Sequence, residues 1–178
     1  MIRTYKISNT QTVRVWIDEI PDAEYVSASV LRKDIPCEFS SEITGSFVAI
    51  ERTVITGARK LYGLLGGSFR PMKTAYCRLE TGMSADDPEV GSRALSRSET
   101  SIIKGLPSEY GQAVMEGALK FQGFKSGHVV FDHACHTAIG SSPVHFAQIA
   151  YATVTMLFSG SSRNEADLSD KVKELFSQ

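Results

Sequence analysis

Residues 105–122 read GLPSEYGQAVMEGALKFQ and residues 128–158 read HVVFDHACHTAIGSSPVHFAQIAYATVTMLF. Pro107 suits a first helical position, where its missing N–H costs nothing, and Ser108 and Glu109 suit the positive end of the helix dipole. Tyr110, Ala113, Val114, Gly117, Ala118 and Phe121 then fall on one apolar stripe, which predicts a helix over 107–122 that Gly123 ends. HVVFDHACH, 128–136, reads as a strand. Ser142 followed by Pro143 is a cap-and-proline start for a second helix, over 143–158. That helix carries two adjoining stripes, one of Ala147, Ala150, Tyr151, Val154, Leu157 and Phe158, the other of Phe146, Ile149 and Met156. A helix apolar on so much of its circumference is covered on more than one side. Asn164 to Gln178 carries Leu168, Val172, Leu175 and Phe176 and predicts a short, acidic, amphipathic helix.

Upstream the period falls to two. Val13, Val15 and Ile17 alternate with Arg14 and Trp16, YVSASVL (25–31) is β-branched and small, and Pro21-Asp22 turns between them. MKTAYCRLE (72–80) and RALSRSETSIIK (93–104) also read as strands, with a polar turn at GMSADDPEVGS (82–92) and a flexible Gly66-Gly67 loop. SFVAIERTVI (46–55) fits a strand, although Phe47, Ile50, Val54 and Ala58 also have helical spacing. The resulting order, strands and then β-β-β-β-α-β-α, predicts an α+β fold: a mainly antiparallel sheet with two helices on one face. Three parts are expected: an N-terminal strand extension over 1–44, a main domain over 45–160, and a C-terminal helix over 161–178.

The chain has 178 residues, 19 basic and 20 acidic, with a net charge of −1. That balance excludes a strongly basic nucleic-acid-coating protein and an acidic disordered tail. No apolar run is long enough to span a membrane, and MIRTYKISNTQT lacks a signal-like stretch, so a cytoplasmic protein is expected. Cys37, Cys77 and Cys135 are dispersed, against a disulfide framework or a CxxC zinc site. Phosphate-loop, GxSxG, HExxH and GxGxxG motifs are absent, so neither nucleotide binding nor a cofactor is expected, and the chain reads as non-catalytic.

Charge is uneven inside this neutral total. Between Ala49 and Glu80, Arg52, Arg59, Lys60, Arg70, Lys73 and Arg78 face only Glu51 and Glu80. Such a run contacts phosphates or forms a solvated sheet face, and Tyr62, Phe69 and Tyr76, interleaved with it, could stack on bases. His128, His133, His136 and His145 lie close together with Asp132 and Cys135. These are zinc-ligand types, yet strand alternation puts His128, Asp132 and His136 on one face and His133 and Cys135 on the other. The weak metal candidates are therefore His128, Asp132 and His136. Asp86, Asp87 and Glu89 read as a solubilising turn, and Cys77 and Cys135 as buried hydrophobes.

The helix motif carries a family resemblance. Gly105, Pro107, Glu109, Tyr110, Ala113, Val114 and Gly117 read G-x-P-x-E-Y-x-x-A-V-x-x-G, which resembles domain IV of translation elongation factor G and the ribosome-protection factors. Val48-Ala49-Ile50-Glu51-Arg52-Thr53 is similar to its opening strand, Gly66-Gly67 to its Gly-Gly loop, Val129, Val130 and Asp132 to its V-V-D strand. His136, Ser141, Ser142 and Phe146 look like the run entering its last helix. The similarity spans about residues 46–160 and implies the βαβ sandwich of that domain, a strand at 46–55, and a protruding tip that meets RNA at the decoding centre. Departures concentrate on that tip: Ser68-Phe69-Arg70-Pro71 replaces Gly-Gln-aromatic, Gly140 replaces the Asp before Ser-Ser, and the GTPase part is absent. The resemblance places Gly66–Arg70 beside His136–Ser142. Arg59, Lys60, Arg70, Lys73, His136, Ser141 and Ser142 are then the expected contacts to ribosome or structured RNA. The alternatives are a self-associating or protein-binding module using the 143–158 helix and, third, a small metal-dependent enzyme using the histidine group.

Overall fold

In the computed structural model, residues 1–39, 44–85, 101–159 and 165–177 are described. They form strands β1 (Ile2–Lys6), β2 (Gln11–Ile17), β3 (Ser27–Pro36), β4 (Ser46–Thr56), β5 (Arg59–Pro71), β6 (Tyr76–Ser84), β7 (Ile102–Lys104) and β8 (Gly127–Thr137). The helices are α1 (Ser108–Ala118), α2 (Pro143–Phe158) and α3 (Glu165–Phe176). The strands make one sheet in the order β1-β2-β4-β5-β8-β6-β3, with β7 paired to the far half of β8. Every pairing is antiparallel except β6 with β8, where α1 makes the crossover that a parallel pair requires. The fold is α+β, as the period change along the chain predicts.

β1, β2 and β3, from the expected N-terminal extension, join the same sheet as the strands that follow. β2 zips to β4 from Gln11↔Val54 to Ile17↔Val48, and β3 zips to β6 at the opposite side of the sheet. β6 runs on through Gly82 to Ser84, where a turn was expected, because β3 continues the ladder to Ser27↔Ser84. The acidic turn at 86–89 and residues 93–100 of the expected strand lie outside the described residues.

Val13, Val15, Ile50, Leu65, Leu79, Val129 and Phe131 face one way and pack with Val114 of α1, Phe146 and Ile149 of α2, and Leu168 and Val172 of α3. Fully burying side chains of this size is worth about 1.5–3 kcal/mol each. α2 lies between its neighbours. Gly117 of α1 meets Ala147 on one side, and on the other Arg52 of β4 bonds Gln148 of α2 and stacks on Phe176 of α3. Phe146 and Ile149 of the second α2 stripe lie over Gly63 of β5. α1 ends at Ala118 rather than at 122, and the released Phe121 and Phe124 pack around Phe158.

The Gly66-Gly67 pair is the clearest departure from expectation. It is not a loop but the middle of β5, paired to Ala49 and Val48. A Cβ on Gly66 would stand 2.9 Å from the Phe47 ring and 3.1 Å from Ala49, and one on Gly67 2.9 Å from Phe131. Glycine is there to let large neighbours close over the strand, not to bend it.

Candidate nucleic-acid interface

A bulge in β8 decides where the histidines point. The register with β5 shifts between Gly66↔His133 and Gly67↔Phe131, so Asp132 is the extra residue. An extra residue reverses the alternation beyond it. Val129 and Phe131 face the helices before the bulge, and Ala134 and His136 face them after it. The expected shared face of His128, Asp132 and His136 therefore does not form. His128 lies 3.2 Å from Glu80, and Asp132 accepts from His133 Nδ1 at 2.6 Å. His136 is buried, donates from Nδ1 to the Gly105 carbonyl at 3.0 Å and sets its ring against Tyr110. Burial also holds the His136 pKa below its usual value. Among the described residues, no three His, Cys, Asp or Glu side chains gather as a metal would need.

The expected tip is also rearranged. Arg70 pairs with His128 at the start of β8, whereas His136 lies near its end. At the strand rise per residue, eight positions span about 26 Å. Arg70 and Lys73 therefore belong to one end of the sheet, and the loop after His136 to the other. What stands beside that loop is the β4–β5 hairpin, which the sequence reading passed over. Thr56 pairs with Arg59 across a two-residue turn whose Gly57 has φ +60°. Glycine at that first position is what a tight hairpin turn of this type needs.

The loop is stitched to the hairpin strand by main-chain and hydroxyl bonds. Tyr62 N–H donates to Gly140 O at 2.7 Å, Ser141 Oγ to Tyr62 O at 2.7 Å, and Thr137 N–H to Ser141 Oγ at 2.9 Å. Ser142 caps α2, accepting from His145 N–H at 3.2 Å. Ser141 and Ser142, expected as RNA contacts, thus hold the loop and the helix in place, and His136 is buried. Arg59 and Lys60 remain on the hairpin, Arg59 exposed and Lys60 half-buried. Ile139 and Val144 project beside them, 83% and 69% exposed. The β1–β2 turn reaches the same end, since Ile55 N–H donates to Thr10 O at 2.7 Å, and brings Lys6 with it. Residues 6–12, 53–60 and 137–144 contain Lys6, Arg59 and Lys60 and no Asp or Glu.

Cys77 and Cys135 are buried, and desolvation pushes each thiol up to about 12. No helix among the described residues is long and apolar enough to cross a membrane.

No protein-family model matches the chain, and neither a curated protein nor a solved structure shows significant similarity to it.

Proposed function

We propose that the chain is a non-catalytic binding protein whose hairpin end docks on structured RNA, with the ribosome as the partner that the elongation factor G domain IV resemblance implies. One observation carries this reading: Lys6, Arg59 and Lys60 share an end of the sheet whose loops hold no carboxylate, in a chain of net charge −1. Basic side chains on ordered loops suit a phosphate backbone. The loop Thr137–Ser141 is pinned by its own hydrogen bonds, so little ordering is needed when a partner arrives.

Binding of this kind is electrostatic and weakens with salt. Two or three phosphate contacts give a log–log salt slope of about −2 to −3. The test is co-sedimentation with ribosomal subunits at low salt. The double change Arg59→Glu with Lys60→Glu is expected to abolish it. The matched change Arg70→Glu with Lys73→Glu, at the far end, is expected to leave it intact. Equal loss in both variants would reduce the interaction to overall charge, and no binding by the unaltered chain would remove the RNA reading.

The exposure of Ile139 and Val144 at the same end favours a second reading, a protein partner that covers them. Binding that survives the Arg59/Lys60 change and high salt but is lost in Ile139→Ser would select it.

A further inference from the structure

One stripe of α2 is left uncovered. Between Pro143 and Phe158 only Val144, Gln148 and Tyr151 are exposed, and Ala147 among them is half-buried. Their spacing puts these four on one face of the helix. That face is the floor of a groove of about 420 Å³ between α1 and α3, and sites that take ligands run from roughly 300 to 1,000 Å³. The floor is short, because Val144 to Tyr151 is about 10 Å, or two helical turns. It is also largely apolar, with Leu175 of α3 beside it.

Charge selects what can enter. Glu116 lines the groove from α1 and Glu174 from α3, against one lining cation, Lys120. Glu174 lies 3.6 Å from Lys171, but both are exposed, and such a pair is weak. The surrounding helices carry the same sign. α1 has Glu109 and Glu116, α3 has Glu165, Asp167, Asp170 and Glu174 against Lys171 and Lys173, and α2 has no Asp, Glu, Lys or Arg. The three helices therefore net −4 in a chain of net −1. That field repels a phosphate backbone, and it repels the same face of a second copy. An apolar floor with acidic walls is complementary to apolar anchors flanked by cations.

We propose that this groove binds a short, cationic, amphipathic segment of another protein. A partner helix of two to three turns sets apolar side chains spaced i, i+3, i+4 and i+7 on Ala147 and Tyr151, and turns Lys or Arg toward Glu116 and Glu174. The groove starts at Val144, beside the hairpin end, and runs away from that end along α2. It stands whether or not the hairpin end binds RNA.

The probes are two end-blocked, labelled peptides of about 12 residues, enough for three turns. One has Leu at i, i+3, i+4 and i+7 and Lys elsewhere; the other has Glu in place of Lys. Fluorescence anisotropy against the full chain gives the affinities. The Leu/Lys peptide is expected to bind at least about tenfold tighter than the Leu/Glu peptide, and more weakly as salt rises. Glu116→Lys with Glu174→Lys is expected to reverse that preference. Val144→Ser with Tyr151→Ser is expected to weaken the Leu/Lys peptide about tenfold or more. Its thermal midpoint should stay within a few degrees, because both side chains are exposed. Arg59→Glu with Lys60→Glu is expected to leave peptide affinity within about threefold, which separates this groove from the hairpin end. No binding of the Leu/Lys peptide, equal affinity for both peptides, or an affinity unmoved by the Val144/Tyr151 change would overturn the site. A dimer in analytical ultracentrifugation that the Val144/Tyr151 change dissolves would make a second copy the occupant, and would overturn it too.

Discussion

Gly117 of α1 faces the backbone carbonyl of Ala147 of α2, and a Cβ at position 117 would overlap that carbonyl. The last glycine of the G-x-P-x-E-Y-x-x-A-V-x-x-G motif is thereby a packing residue, which sets the closest approach of the two helices. In an isolated helix Gly→Ala gains about 1 kcal/mol. Here the neighbour is main chain and cannot rotate away, so Gly117→Ala is expected to destabilise, by about 1–3 kcal/mol as for other overpacked sites. Urea denaturation of the variant measures it, and a net gain in stability would place the helices further apart.

Val114 and Ile149 are fully buried where α1 and α2 meet the sheet. Truncation removes apolar contact and leaves a cavity. Ile149→Ala is expected to cost about 2–4 kcal/mol and Val114→Ala somewhat less. Because both positions line one core, the double variant should depart from additivity. A loss below about half a kcal/mol at either position would mean that it faces solvent.

The elements with strong local signals were legible in the sequence. Pro107, the Tyr110–Phe121 stripe and Ser142-Pro143 mark both core helices, and α2 starts and stops where the pattern does. The site was legible only in part, for two physical reasons. Glycine in sequence reads as flexibility, yet Gly66 and Gly67 lie mid-strand because neighbours on both faces need their missing side chains. A bulge leaves no trace in a period-two pattern, so one extra residue, Asp132, put His128 and His136 on opposite faces. The hairpin carrying Arg59 and Lys60 does have a signal, Thr56-Gly57-Ala58 between two β-rich runs.

The cysteines should differ in reactivity according to depth. Cys77 and Cys135 are buried with raised thiol pKa values, while Cys37 is half-buried and raised mainly by desolvation. The thiolate is the reacting form, so alkylation of the native chain near neutral pH should be slow and confined to Cys37, with all three reacting in denaturant. Mass spectrometry after a timed iodoacetamide pulse reads this out. Early labelling of Cys135 would show that the outer face of β8 opens in solution.

His145 makes stability depend on pH. It is buried in the first turn of α2, and its Nε2–H donates to the Arg52 carbonyl at 3.2 Å. Desolvation first, and then the Arg52 charge, lower its pKa from 6.5 to about 4. In the folded chain the ring is therefore neutral across a range where the unfolded chain takes up a proton. Stability from this group is fully present above pH 6.5 and is lost as pH falls from 6.5 toward 4. Each pH unit in that window removes up to about 1.4 kcal/mol, so the loss approaches roughly 3 kcal/mol at pH 4. Carboxylates such as Asp34, whose pKa the Arg78 hydrogen bonds lower, add their own loss mainly below that window. His145→Gln keeps a donor for the Arg52 carbonyl and does not titrate. Its stability, from urea denaturation at half-unit steps, should be flatter than that of the unaltered chain between pH 6.5 and 4. The two profiles should run parallel above pH 7. Parallel profiles across the acid range as well would mean that His145 is protonated in the fold, and that the seam between β4 and α2 admits water.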